Sequence, residues 1–409
     1  MRWLLIPLLV STSIFQSSCG GGGGGDVIGE FFVETDVVVA DVDGDGEEDV
    51  LTLGTRVQSH EEMEGFLSVY RRGGDGEFRA ATNYPVGRYP WHLTLADVND
   101  DDAIDAVVVD ADTYEIWLLL QDPAARGIFL PPRRIEKGVL AYDTSVADLD
   151  GDGAPEIVVP DGLADRVLML SWLPEEGDFL RKEVPFSDTP YNLAVGDLNR
   201  DLRSDLLVGL NLETDLVDPA ETMLAYRLQL PDGDLGPSNR VAFNAGNNIG
   251  GLTIGDYDVD GANDIFVFYS YNKEPYRTKL AVLLQYPESP GTFLPRVDTS
   301  LSGVDGTDDA VFADLNNDGR PDAAVAGFYP SGSPSEIKSR VNIFLQSGGG
   351  SFSFINSYSM PVSVSRIAAG DINGDGANDL VVFGDEQPMV MYQSIASPGT
   401  FGAVRPIVP

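Results

Sequence analysis

The sequence predicts an all-β protein, a seven-bladed β-propeller with four antiparallel strands in each blade, and three observations predict it. An acidic nonapeptide of one design recurs seven times at spacings of 49 to 59 residues, starting at Asp41, Asp97, Asp148, Asp197, Asp256, Asp314 and Asp371. Self-similarity at such a period marks a repeat architecture. Each copy is flanked by short runs rich in β-branched and aromatic residues, punctuated by Gly, Pro, Asp and Asn, which is strand composition. No long stretch carries the apolar periodicity of an amphipathic helix. Seven units of four strands match a closed propeller ring. A right-handed β-solenoid fits less well, because its repeats are usually far shorter.

The parts of a unit follow in a fixed order. An apolar strand such as VVVAD or LAVGD runs into the acidic loop, and a second strand leaves it: DVLTL, DAVVV, EIVVP, DLLVG, DIFVF, DAAVA and DLVVF. A third strand comes after a connection of variable length, as in FLSVY, IWLLLQ or VNIFLQ. A Gly-containing hairpin then leads to Phe78, Phe129, Phe179, Leu235, Phe293, Phe352 or Phe401, which is expected to open the fourth strand. First and last units look complete, so the ring can close without sharing a blade. The short apolar stretch 31–33 is expected to add an edge pairing to the last blade.

The chain has 409 residues, 43% hydrophobic, with 45 Gly and 26 Pro, a composition that suits a folded, turn-rich protein. Its net charge of −39, from 65 Asp and Glu against 26 Lys and Arg, would repel nucleic acid and anionic lipid surfaces. Met1 and Arg2 followed by WLLIPLLVSTSIF read as the basic and apolar regions of a secretory signal, too short to span a bilayer comfortably. Next come Cys19 and six glycines at 20–25, and here the chain resembles a bacterial lipoprotein precursor. That resemblance implies a signal peptide at 1–18, lipid on Cys19, a flexible tether over 19–30 and the propeller over 31–409. Gln16 stands where the lipoprotein box usually has Leu, and an ordinary signal cut is the other reading. Gly20 lacks the Asp of an inner-membrane retention signal, so the expected place is the outer membrane, on its periplasmic or cell-surface side. Cys19 is the only cysteine, so no internal disulfide can form and bound metal is the obvious staple.

The loops carry the metal chemistry. In D-x-[DN]-x-D-G-x-x-D the side chains at positions 1, 3, 5 and 9 and the carbonyl at 7 can wrap one hard cation, and oxygen donors at flexible geometry suit Ca²⁺ better than Mg²⁺ or Zn²⁺. The candidate ligands, loop by loop, are Asp41, Asp43, Asp45 and Asp49; Asp97, Asn99, Asp101 and Asp105; Asp148, Asp150, Asp152 and Glu156; Asp197, Asn199, Asp201 and Asp205; Asp256, Asp258, Asp260 and Asp264; Asp314, Asn316, Asp318 and Asp322; and Asp371, Asn373, Asp375 and Asp379. Up to seven ions are expected, and a full load moves the formal charge from −39 to −25. This is no EF-hand, since Thr52 sits at position 12 of the first copy and strands flank the loop. The loops at Asp41 and Asp256 should bind best. Position 6 needs a positive φ, which glycine supplies and which Asp102 tolerates; Leu202 is a poor residue there, so the Asp197 loop is expected to be the weakest. The ions read as structural clamps, because protein ligands fill most of the coordination sphere.

With these loops in register, the chain resembles the FG-GAP/VCBS-repeat propellers of integrin α-subunit heads and many bacterial secreted proteins. The resemblance covers residues 36–409. It lacks the Gly-Ala-Pro ending after the second strand, which places it nearer the bacterial variety.

Regular loops on one face leave function to the variable loops on the other. The long second-to-third connections at 210–223, 269–279 and 328–340 lie there. The residues at the start of the first strands include Arg88, Tyr89, Trp91, His92, Tyr142, Tyr191, Asn192, Asn247, Asn248, Asp308 and Arg366, a set that can bind a glycan or a peptide side chain at a central mouth. Ordinary strand-end packing is the bland reading of each one. The only histidines are His60 and His92, and no motif for a serine nucleophile, phosphate cradle or zinc site appears. The expected function is a non-enzymatic binding or adhesion platform, monomeric, for a protein or glycan partner. The alternatives are a polysaccharide lyase or hydrolase seeded by His92, and a lectin-like module.

Overall fold

The computed structural model describes residues 31–58, 62–211, 223–241, 243, 248–270, 278–300, 306–330, 337–347, 351–384 and 387–408. These form seven separate sheets of four antiparallel strands, each made from one continuous stretch of chain in the order first, second, third, fourth. The first strands are Phe31–Ala40, Pro90–Ala96, Ser145–Ala147, Thr189–Gly196, Asn248–Gly255, Gly306–Ala313 and Arg366–Gly370. Each is an edge strand of its sheet, and first strands of neighbouring blades approach one another, most closely Thr189–Gly196 with Asn248–Gly255 and Phe31–Ala40 with Arg366–Gly370. The expected seven-bladed propeller is the observed fold.

The second strands explain why the hydrophobic residues form no single centre. They run Asp49–Val57, Asp105–Asp110, Glu156–Asp161, Asp205–Asn211, Asp264–Ser270, Asp322–Pro330 and Asp379–Gly384. Successive strand residues face opposite sides of a sheet, and both sides of a blade are covered by a neighbour. Hence Ala106 and Val108 pack toward the first blade, with Leu51, Leu53 and Leu67, while Val107 and Val109 pack toward the third, with Ile157 and Val159. Repeated around the ring, this gives seven apolar clusters, each between two adjacent blades. The cluster between the last blade and the first joins Ile372, Val381 and Ile407 to Val37 and Val50, closing the ring by side-chain packing.

Two expectations are corrected. Phe31, Phe32 and Val33 pair with Val57, Arg56 and Thr55 of their own blade, and not with the last one. The second strand of blade 1 is long enough, at nine residues, to take them as partners. The last blade instead draws its fourth strand, Arg405–Pro406, from the end of its own unit. Also, the repeated aromatic opens the fourth strand only at Phe179 and Phe352. In five blades it makes an isolated bridge, to Arg72 from Phe78 and to Gln121 from Phe129 for example, and the fourth strand starts some residues later.

The bridge partners hold the blades together. Gln121, Gln285 and Gln346 are buried at the end of their third strands, and each donates from Nε2 to the backbone carbonyl at loop position 2 of the preceding blade, at Val42, Leu198 and Tyr257. Gln229 reaches the Asp148 carbonyl at 3.2 Å. In blade 1 the equivalent residue is Arg72, whose Nη2 donates to the Asn373 carbonyl of the last blade at 3.2 Å.

Candidate metal centres and ligand mouth

All seven acidic loops share one backbone path. The residues at positions 4 and 6 are left-handed in every copy, from Gly44 (φ 71°) and Gly46 (φ 89°) to Gly374 (φ 75°) and Gly376 (φ 85°). Four loops put a non-glycine at position 4, namely Asp100, Arg200, Val259 and Asn317, and Leu202 takes φ 66° at position 6 while 95% exposed. The first carboxylate of each loop folds the path. Asp41 accepts from the amides of Gly44, Asp45 and Gly46, and its equivalents all accept from the amide at position 6. The carboxylate at position 5 accepts from the amide at position 7 throughout.

Position 9 has a second duty. One oxygen of Asp49 accepts from the Val42 amide at 3.1 Å and the other from the Arg72 amide at 2.8 Å, so the carboxylate ties its own loop to the third strand. Asp105, Asp205, Asp264 and Asp322 repeat both bonds, and Asp379 accepts from the Gln393 amide. Glu156 bonds the Leu149 amide and takes the Ser171 hydroxyl instead of a third-strand amide. Burial, partly offset by these amides, pushes the carboxyls of Asp49, Asp105, Glu156, Asp264, Asp322 and Asp379 up to about 7 and that of Asp205 to about 6.

Position 3 is where an ion fits. The Oδ1 atoms of Asp43, Asn99, Asp258 and Asn316 are buried with no hydrogen-bond partner, an arrangement that costs free energy unless something positive meets it. Carboxylate oxygens of Asp41, Asp43 and Asp49 lie within 4.8 Å of one another, as do those of Asp148, Asp150 and Glu156, and of Asp256, Asp258 and Asp260. These groups could hold a metal. Elsewhere position 3 is Asn: Asn99, Asn199, Asn316 and Asn373 offer an amide oxygen. The Asp197 loop differs again, because the Arg203 guanidinium pairs with Asp201 inside the loop and Arg200 reaches Asp260 of the next. Its position-5 charge is already neutralised.

At the other end of the first strands lies the mouth. Five blades carry a β-bulge at the same place, between Glu34 and Asp36, Pro90 and His92, Pro190 and Asn192, Ile249 and Gly251, and Thr307 and Asp309. A bulge puts one extra residue into the strand and re-aims its side chains. Two tiers result. The residues five before each loop are Asp36, His92, Asp143, Asn192, Gly251, Asp309 and Arg366; those six before include Trp91, Tyr142 and Tyr191.

The lower tier is a chain of charges. His92 Nδ1 lies 3.2 Å from Asp36 and Nε2 lies 3.3 Å from Asp143, so both ring nitrogens are engaged by carboxylates of the flanking blades. Burial alone would push the imidazole down, but the Asp36 hydrogen bond and the two carboxylate charges raise it to about 9. Asp36, Asp143 and Asp309 each also accept from an amide of the next blade, at Leu93, Leu193 and Ile367. Burial raises Asp309 to about 6 against the pull of Arg366. The upper tier is aromatic. Tyr89 and Trp91 lie 6.1 Å apart, Trp91 and Tyr142 5.9 Å at 80°, and Tyr142 and Tyr191 6.1 Å at 18°. The Arg366 guanidinium covers Trp91 at 5.3 Å.

Of the residues the sequence pointed to, the structure therefore brings Tyr89, Trp91, His92, Tyr142, Tyr191, Asn192 and Arg366 together. Arg88 pairs with Asp112 at 2.8 Å. His60, Asn247, Cys19 and most of the long connections at 210–223, 269–279 and 328–340 lie outside the described residues, as do the side chains of Asn248 and Asp308.

A family model described as an FG-GAP-like repeat matches residues 41–108, 97–159 and 332–382. The chain is a seven-bladed propeller that carries FG-GAP-like repeats. No protein of curated function matches its sequence. Among solved structures, the propeller is similar to a proposed 6-phosphogluconolactonase of Bacteroides uniformis (14% identity, TM-score 0.49, 79% of this chain and 84% of that one). It is also similar to the Dos1 propeller (12%, 0.45, 81% and 71%) and to a protein from Lactobacillus plantarum (13%, 0.48, 84% and 92%). Likenesses at this level say nothing about activity.

Sequence reading of the FG-GAP-like propeller missed Asp36, Asp143 and Asp309. Aligning the units on their loops would have found them, since each stands five residues upstream of its loop, as His92 and Arg366 do.

Proposed function

We propose that this FG-GAP-like propeller is an exported, lipid-anchored binding platform, held rigid by Ca²⁺, that takes a protein or glycan ligand at the mouth opposite the ion loops and performs no chemistry on it. One observation carries the reading. Along one first strand the acidic loop and the aromatic tier lie at opposite ends, six residues apart, about 20 Å at roughly 3.3 Å per residue. The ion sites thus keep out of a ligand's way. For Ca²⁺ in particular, the all-oxygen donor set and the buried, unpartnered oxygens at position 3 support a hard cation held by Asp41, Asp43 and Asp49 and by their equivalents. A non-enzymatic role is supported by His92, whose two nitrogens are both committed to carboxylates and are poorly placed to exchange a proton with a substrate. Export and anchoring rest on the apolar start and Cys19.

Two measurements test this. Chelation should lower the melting temperature by on the order of 10 °C, with recovery on adding Ca²⁺ but not Mg²⁺; a melting curve indifferent to chelator removes the ion from the proposal. Expressed in a bacterial host with lipoprotein processing, the wild type should partition with membranes and Cys19→Ser should become soluble. Identical partitioning of the two removes the anchor.

A further inference from the structure

We infer that the ligand of the mouth is an uncharged oligosaccharide, seated on the stepped ledge of Trp91, Tyr142 and Tyr191 with Asn192 at its inner edge; this rests on the platform reading above.

The inference comes from what the mouth has left to offer. Its charged groups are already engaged with other groups of the protein: His92 by Asp36 and Asp143, Arg88 by Asp112 in a pair at the surface, and Arg366 by the Thr35 and Ser365 carbonyls and the Trp91 face, with Asp309 nearby, while Glu34 beside Tyr89 also has a partner. The three carboxylates are further bound by backbone amides of the next blade. An anionic or cationic ligand would therefore have to break an existing pair, and a polyanion would also meet a chain of net charge −39. What remains is neutral. The rings of Tyr89, Trp91, Tyr142 and Tyr191 are all partly exposed. Among the described residues, the Asn192 side-chain amide and the Tyr142 hydroxyl make no hydrogen bond, so a planar donor–acceptor group and a phenol stand beside partly exposed aromatic rings.

The spacing and tilt of the rings narrow the shape. Tyr142 and Tyr191 are too close, at 6.1 Å, to clasp a flat group between them, so a ligand must lie across them. From Trp91 to Tyr142 the ring plane turns by 80° and then by 18° to Tyr191, at centroid steps of 5.9 and 6.1 Å. One flat aromatic ligand cannot follow those steps. A chain of pyranose rings, each with an apolar face and a rim of hydroxyls, matches both the repeat of the ledge and its chemistry. The ledge crosses blades 2, 3 and 4, which suits about one sugar per blade.

The test uses the full Ca²⁺-loaded protein, calorimetry and the fluorescence of Trp91. The probes are neutral trisaccharides (cellotriose, maltotriose, xylotriose, mannotriose), an anionic trigalacturonate, a cationic glucosamine trimer and a basic peptide. The expected result is binding of at least one neutral trisaccharide with a fluorescence change, at an affinity unmoved by added salt. Tyr142→Ala should weaken it about tenfold or more. Asn192→Ala, which leaves the ring packing in place, should weaken it several-fold at an unchanged melting temperature. Binding of charged probes alone, lost in Tyr142→Ala, would overturn the saccharide class while leaving the mouth as a platform. Neutral binding indifferent to both variants would place the site elsewhere and overturn the inference. Silence of every probe on a folded protein would overturn the saccharide class as well.

Discussion

Leu202 shows how far a single residue can be forced by its neighbours. Its φ of 66° costs an L-residue roughly 1 kcal/mol or more, and at 95% exposure no packing of its own repays that. The Asp197 carboxylate, which holds the Leu202 amide at 2.7 Å, imposes the conformation. Leu202→Gly should therefore stabilise the propeller by about 1 kcal/mol in denaturant titrations, whereas Leu202→Ala should not. A destabilised glycine variant would mean that the leucine side chain has a role beyond its backbone. Val259 at φ 61° is a sharper case, because a β-branched residue is rarer still in that region. It sits in one of the two loops that four aspartates made the best candidates for an ion, so donor chemistry and backbone comfort do not run together here.

At the scale of an element, the bulged first strands do more than edge their sheets. Asp36, His92 and Asp309 on these strands each reach a group of the next blade, and His92 is the double link, joining blade 2 to Asp36 of blade 1 and Asp143 of blade 3. Thr94 Oγ1 stands 3.4 Å from the same ring, and the backbone at Thr144 also favours its charged form. The folded imidazole is raised from an ordinary 6.5 to about 9. The sign follows: the link contributes fully below about 6.5 and is lost as pH climbs to about 9. With Ca²⁺ saturating, the wild type should lose on the order of 1–2 kcal/mol across that window, after allowance for the ring's 30% exposure. His92→Gln should be flat over the same range. Parallel pH profiles for the two proteins would mean that the His92 charge does not join the blades.

For the molecule as a whole, the repeat made most of the architecture legible. The nonapeptide marks the turn between first and second strands, and the apolar runs beside it read as strands buried on both faces, as Asp105–Asp110 and Asp379–Gly384 are. The partners of those faces were not legible, because alternation says that Val107 and Val108 part company but not which blade receives each. The metal loops were visible as donors, yet the work of position 9 in holding amides of two strands needs the third strand's register, which no local pattern carries. The mouth was half legible. Its aromatics stand out by type, while Asp36, Asp143 and Asp309 look like ordinary acidic residues until the starts of the first strands are set side by side. The pairing of Phe31 was misjudged because sequence does not show how far the second strand of its blade extends.

Each sheet is made from one unbroken stretch of chain, and the two ends of the propeller meet where Ile407 packs beside Val37. Heredity can exploit that. A unit copied, deleted or moved at the level of DNA carries its whole ladder with it and leaves every other ladder intact. Likewise, a chain opened at the link between any two blades and joined at its old ends would contain the same seven sheets in a rotated order. The ring has a start in translation and none in its architecture.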